Sequence, residues 1–308
     1  MNFQMPRGLT AISAMSLSVL AFSACDEDTP LVVVPSETLT LSFQGLEPLA
    51  NGFHYEGWAI VDGSALSTGK FNVAGGGGLE ALDGSAIAGG MFQTGIDLAD
   101  ATAIVITIEP TDDTDAVPAD THIIGGTVAS LSAPLTIGST EAFGDDFAAA
   151  AGKYILATPT DSNGGNENSG IWFLTNESGT AEAGLTLPVL PAGWTYEGWA
   201  VIDGIPVTTG RFTAVDAADN GAPFSGFLTG PPFPGEDFLV NAPAGLSFPT
   251  DLAGQTAVIS VEPEPDDGPA PFTLKPLTHA IDAAATDGVT FDMDNGAGTF
   301  PTGTATIS

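Results

Sequence analysis

Basic residues are the first thing this sequence lacks. Its 308 residues hold five Lys plus Arg against 38 Asp plus Glu, a formal net charge of −33. A surface of that sign repels nucleic acid and anionic lipid heads, so both are excluded as partners for the folded body. It also repels itself at low salt, which predicts a melting temperature that rises with added salt. Cysteine is nearly absent too. The single Cys25 excludes intramolecular disulfides and multi-thiolate metal sites. Long amphipathic periodicity is missing, which argues against a helical core. No Gly-x-Ser-x-Gly occurs. The Gly75–Gly78 run has neither the Lys-Ser/Thr nor the following helix of a phosphate loop. The three His are scattered, and the carboxylates are too many to single out a catalytic pair. The chain therefore reads as non-enzymatic, with no cofactor and no metal site indicated.

What is present is a duplication. Tyr55-Glu56-Gly57-Trp58-Ala59-Ile60-Val61-Asp62-Gly63, continuing to Phe71, recurs as Tyr196-Glu197-Gly198-Trp199-Ala200-Val201-Ile202-Asp203-Gly204, continuing to Phe212. The offset is 196 − 55 = 141, and ten of the seventeen positions are identical. Aromatic and β-branched runs on either side of Asp-Gly predict a β-hairpin in each copy. Alternation puts Glu56, Trp58 and Ile60 on one face of the strand and Tyr55, Gly57, Ala59 and Val61 on the other. Trp58 and Trp199 are the expected core anchors. Lys70 and Arg211 fall at the same repeat position. In so base-poor a chain this predicts one ion pair per copy, with Glu56 and Glu197, or Glu109 and Glu262, as the partner carboxylates. A second repeated run, Ala103–Ile108 into Glu109-Pro110, returns as Thr256–Val261 into Glu262-Pro263. There the offset is 262 − 109 = 153, so the second copy carries 153 − 141 = 12 extra residues, expected around Pro231–Gly235. His122 and His279 read as repeat equivalents. Thr299–Gly303 echoes Thr158–Asp161.

These patterns divide the chain into a signal segment over 1–24 and a tether over 25–37. A first β-sandwich repeat covers 38–129, connecting strands and a loop 130–182, and a second repeat with C-terminal strands 183–308. The fold class is all-β, two tandem antiparallel sandwiches. One short helical turn is expected from Asp145 to Gly152. Asp292–Gly296 and Asp161–Asn168 are oxygen-rich stretches that would serve an alternative function as a calcium- or carbohydrate-binding surface protein.

Two resemblances add to this. Arg7, the apolar Leu9–Phe22 and Ser23-Ala24 before Cys25 resemble the signal and lipobox of bacterial lipoproteins. That implies a lipid-modified Cys25 and a protein anchored outside the cytoplasm, in the cell envelope. The pattern Tyr55…Trp58…Asp62-Gly63…Gly69-Lys70-Phe71…Glu109-Pro110…Pro118 is similar to the extracytoplasmic C-terminal domain of anti-sigma-K factors. So is Tyr196…Trp199…Asp203-Gly204…Gly210-Arg211-Phe212…Glu262-Pro263…Pro271. The resemblance implies an interaction or sensing module whose partner is an unidentified protein or small molecule. Tyr55, Glu56, Trp58, Lys70 and Glu109, with Tyr196, Glu197, Trp199, Arg211 and Glu262, are its matched structural positions.

Overall fold

The computed structural model describes residues 38–308; the signal segment, Cys25 and the tether lie outside the described residues. The chain is all-β, 41% strand and 3% helix, and every ladder is antiparallel. It forms two β-sandwich units. Sixteen principal strands carry them. The first eight are β1 (Thr38–Gln44), β2 (His54–Val61), β3 (Ser64–Val73), β4 (Met91–Gln93), β5 (Ala101–Glu109), β6 (His122–Thr127), β7 (Ser132–Thr136) and β8 (Ala151–Leu156). The rest are β9 (Gly170–Trp172), β10 (Trp194–Ile202), β11 (Ile205–Phe212), β12 (Gly235–Asp237), β13 (Thr256–Pro263), β14 (Leu277–Ala280), β15 (Thr290–Asn295) and β16 (Thr302–Ile307).

The sheet orders are the same in both units. The first runs β3-β2-β5-β6-β7-β16-β1-β4, and the second β11-β10-β13-β14-β15-β8-β9-β12. Position by position, β16 stands where β8 stands. The second unit is contiguous in the chain, whereas the first is completed by the chain's last strand. β16 pairs with β1 (Leu39 opposite Ile307) and with β7 (Ala305 opposite Ala133). It thereby covers two edges that would otherwise expose unpaired backbone. The sequence-based boundaries are therefore redrawn. β7 belongs to the first sheet, β8 and β9 to the second, and the C-terminal strand returns to the first. The equivalence of β16 with β8 also replaces the echo between Thr299–Gly303 and Thr158–Asp161. The chain crosses between sheets in two segments that meet. Phe147 and Phe300 pack edge to face at 5.5 Å, and Asn295 donates to the carbonyls of Phe147 (2.9 Å) and Ala150 (2.8 Å).

Local chemistry explains the repeated hairpin. Asp62 and Gly63 have φ of 50° and 74°, Asp203 and Gly204 51° and 81°. Both residues of each two-residue loop are left-handed, the turn that matches the strands' twist. Each hairpin also carries a β-bulge, where Gly57 pairs with Gly69 but Trp58 with Ser67, and Gly198 with Gly210 but Trp199 with Thr208. The skipped residues are Thr68 and Thr209. Gly69 (φ 135°) and Gly210 (φ 121°) supply the conformation that follows the bulge. Opposite them, a Cβ on Gly57 would sit 2.5 Å from the Thr68 hydroxyl, and one on Gly198 2.2 Å from that of Thr209. The repeated Glu-Gly-Trp thus needs its glycine because the bulged threonine fills that space.

The segment from Asp145 to Gly152 is not a helical turn. Asp145 accepts from the Phe147 amide at 2.7 Å, Phe147 has φ 58°, and Ala151-Gly152 already pair in β8. A left-handed Phe147, tied to its neighbour's carboxylate, stops the helix before it starts. The twelve extra residues are also placed differently. Gly235 lies opposite Trp172 as Met91 lies opposite Thr40, an offset of 235 − 91 = 144. Three extra residues therefore precede β12 and nine follow it, within 238–255.

Candidate functional site

Each unit has a polar centre on the sheet face opposite its main core. Tyr55, Ala59, Ile104, Ile106 and Ile108 belong to the apolar cluster shared by both units, as do Tyr196, Ala200, Ile259 and Val261. Trp58 and Trp199 are fully buried but sit outside that cluster, on the carboxylate face. They are buried anchors as expected, but each is tied into a polar network, while the tyrosines sit in the shared apolar cluster. Tyr55 stacks on Phe71 at 5.5 Å and donates to the Glu47 carbonyl; Tyr196 stacks on Phe212 at 5.6 Å and donates to that of Pro188.

The networks match atom for atom. Trp58 Nε1 donates to the Thr107 hydroxyl at 2.9 Å, and Thr107 donates to Glu109. Trp199 Nε1 donates to the Ser260 hydroxyl at 2.8 Å, and Ser260 donates to Glu262. Each terminal carboxylate accepts a backbone amide, from Ala119 and from Phe272. Burial pushes the Glu109 carboxyl up and that of Glu262 up to about 7. Glu56 and Glu197, with Asp113 and Asp266, flank the base. Lys70 Nζ lies 2.5 Å from Asp113 and 3.5 Å from Glu56. Arg211 bridges the equivalent pair, Nε to Glu197 at 2.8 Å and Nη2 to Asp266. Of the candidate partners read from sequence, Glu56 and Glu197 are in place. Glu109 and Glu262 instead end the tryptophan relays, and Asp113 and Asp266 were missed.

A groove distinguishes the second unit. It has a volume of about 440 Å³ and is lined by residues of 218–235 with Thr160 and Trp172. Where β4 has Phe92 opposite Leu39 and Gln93 opposite Thr38, β12 has Glu236 opposite Ile171 and Asp237 opposite Gly170. Both carboxylates are fully buried, an environment that costs several kcal/mol unless hydrogen bonds offset it. Asp237 accepts Trp172 Nε1 at 2.7 Å and the Thr160 amide at 2.8 Å. Thr160 in turn holds the groove loop, accepting the Gly226 amide on its hydroxyl and the Leu228 amide on its carbonyl. Glu236 accepts from Ser225 and from the amides of Phe224 and Asp237. Burial raises Glu236 to about 7 and Asp219, at the groove wall, to about 6. Phe227 stands 82% exposed beside the lining residue Leu228.

The other sequence candidates resolve as structure. Asp292 lies in β15 opposite Lys153 and pairs with it at 3.0 Å, so Asp292–Asn295 is strand and not loop. Asp161 caps its own loop through the Asn163 amide and the Asn166 side chain. His122 and His279 are not equivalent. His279 lies opposite Ala257 and His122 opposite Thr107, whereas the counterpart of Ala257 at offset 153 is Ile104, which faces Gly126. His122 contacts the Glu141 carbonyl and His279 the Tyr154 hydroxyl. The third histidine, His54, was passed over and lies beside Glu56 and Asp113; its signal was His-x-Glu on one strand, which puts both side chains on one face.

Compared with family models, curated proteins and solved structures, the chain matches none. Its own geometry therefore carries the functional argument.

Proposed function

We propose that this chain is a non-enzymatic binding module of the bacterial cell exterior, held to a membrane by lipid on Cys25 and taking its ligand in the groove of the second unit. The observation that carries the reading is the pair Glu236-Asp237. The equivalent positions of the first unit hold no buried charge: Phe92 is buried and apolar, and Gln93 is neutral and exposed. The second unit instead buries two carboxylates whose hydrogen bonds build the groove loop. The similarity of both repeats to the outer domain of anti-sigma-K factors and the lipobox-like Cys25 support the same placement outside the cell. The lining combines the apolar Trp172 and Phe233 with the hydrogen-bonding Asp219, Asn220 and Thr229. That combination suits a neutral or cationic carbohydrate, while the acidic surface disfavours anionic ones.

Calorimetric titration of the intact protein with neutral, cationic and anionic oligosaccharides tests the groove. Binding of a neutral or amino sugar, weakened about tenfold or more by Asp219→Asn, is expected. Binding to none of them, or to the anionic one alone, would remove the reading. For the anchor, Cys25→Ser is expected to move the protein from the membrane fraction to the soluble one.

A further inference from the structure

Beyond exchanges of Ser for Thr, the polar centre of the first unit differs from its twin at His54, which replaces Thr195, and at Lys70, which replaces Arg211, and both differences favour a metal ion. We propose that His54, Glu56 and Asp113 form a binding site for a divalent transition metal such as Zn²⁺, in the place where the second unit is closed by an arginine. One ring nitrogen of His54 and one carboxylate oxygen each of Glu56 and Asp113 lie within 4.8 Å of one another. Tetrahedral donors bound at about 2.1 Å are roughly 3.4 Å apart, so small side-chain rotations suffice to close the set.

The buried atoms are arranged for a missing partner. His54 is 3% exposed and Glu56 2%, and neither His54 Nε2 nor Glu56 Oε2 has a hydrogen-bond partner. Leaving such atoms unpaired costs about 1–3 kcal/mol each. In the second unit Thr195 occupies the position of His54, opposite Glu262 as His54 is opposite Glu109. There the base is Arg211, whose planar fork reaches both carboxylates. Lys70 is a single point charge on a flexible stem, 26% exposed, and leaves Glu56 Oε2 with only a 3.5 Å ion pair. A dication can displace it outward, with Lys70 as competitor. A cavity of about 360 Å³ beside His54, Gly52 and Thr111 gives the approach. One imidazole with two carboxylates suits zinc and its first-row neighbours. Calcium, which takes six to eight oxygens, is disfavoured.

The test is Zn²⁺ titration of the intact protein in excess Mg²⁺ and Ca²⁺, which occupy loose sites on the acidic surface. One saturable zinc per chain is expected, with a rise in melting temperature. His54→Thr, which installs the residue the second unit tolerates, is expected to weaken binding by at least about tenfold and abolish the thermal shift. His122→Ala and His279→Ala are expected to leave both unchanged. Lys70→Met removes the competitor, so its zinc affinity is expected to rise. The site is refuted by unchanged zinc affinity in His54→Thr, by no saturable uptake in the parent protein, or by a Lys70→Met variant that binds zinc no tighter.

Discussion

The two units share the strand order and the hairpin backbone, and differ in chain connectivity, in the second unit's twelve extra residues and in what fills the space around the strands. The Asp-Gly turns, the Thr-Gly bulges, the buried tyrosines and the tryptophan relays coincide. The base differs, lysine in one and arginine in the other; so do position 54 against 195, and the pair Phe92-Gln93 against Glu236-Asp237. Burying carboxylates opposes folding, so a copy does not acquire them from sheet geometry alone. The difference separates a shared scaffold from two local specialisations, a groove in the second unit and a histidine-carboxylate cluster in the first.

The largest asymmetry lies in chain connectivity, and removing it should have the largest effect. Deleting residues 302–308 takes away β16, with Ala305 and Ile307 from the core, and bares β1 and β7. The first unit is expected to lose cooperative folding while the second keeps its complete sheet. Hydrogen exchange would read this as lost protection in β1, β2 and β5 with β10 and β13 still protected. Equal loss in both units would mean that the shared core, and not the closing strand, sets stability.

Acid titration comes next. Glu262 titrates at about 7 in the folded chain against an ordinary 4.5. Burial is the first cause, and the nearby charges of Glu197 and Asp266 add to it. A carboxyl raised by folding stabilises the native state below pH 4.5, and that contribution is lost as pH climbs through 7. The loss is of order 3 kcal/mol at about 1.4 kcal/mol per unit. Asp219 and Glu236 act in the same sense, so the melting temperature should fall from pH 5 to pH 8. Glu262→Gln should flatten that slope more than Glu109→Gln does. A slope untouched by either substitution would assign the pH response to the groove carboxylates.

How far the sequence disclosed this architecture follows the range of each interaction. The hairpin was legible because Asp62-Gly63, Gly69 and Trp58 act within a few residues of one another. The pairing of Lys70 with Glu56 was legible for the same reason, since the two face each other across the hairpin. Asp113 was not, because it arrives from the loop after β5. The C-terminal strand was expected but its place in the first sheet was hidden, because its partner, β1, lies about 260 residues away, and β16 shares with β8 little beyond a glycine, Gly303 for Gly152. Glu236 and Asp237 were hidden among 38 acids, where only burial singles them out. The tryptophans were read as core because size alone suggested it. What placed them on the polar face was the hydroxyl two residues before Glu109 and Glu262.

The bulge glycines sharpen the comparison at the scale of one methyl group. A Cβ at Gly198 would meet the Thr209 hydroxyl at 2.2 Å and Phe173 Cε2 at 2.7 Å. At Gly57 it would meet the Thr68 hydroxyl at 2.5 Å, with nothing else nearer than 3.7 Å. Gly198→Ala must move an aromatic ring of the core as well as a hydroxyl, and overpacking of that kind costs about 1–3 kcal/mol. Gly57→Ala asks only for rotation of Thr68. Chemical denaturation is expected to rank Gly198→Ala as the more damaging by about 1 kcal/mol or more. Equal costs would show that the bulge itself, common to both units, dominates.

The smallest effect is expected from exchanging the bases. Arg211→Lys keeps the charge but removes the fork, so Glu197 and Asp266 can no longer both be held at hydrogen-bond distance. Lys70→Arg offers the first unit the fork it lacks, and a second donor for the unpaired Glu56 Oε2. Both bases are about a quarter exposed, so solvent screens the charge term and leaves hydrogen-bond geometry to decide. A loss of about 1 kcal/mol for Arg211→Lys and a gain of a few tenths for Lys70→Arg follow. Thermal denaturation of the two variants and their double mutant reads both signs. If Lys70→Arg destabilises instead, the first centre has no room for a guanidinium beside His54, and the two polar centres differ in shape as well as in occupant.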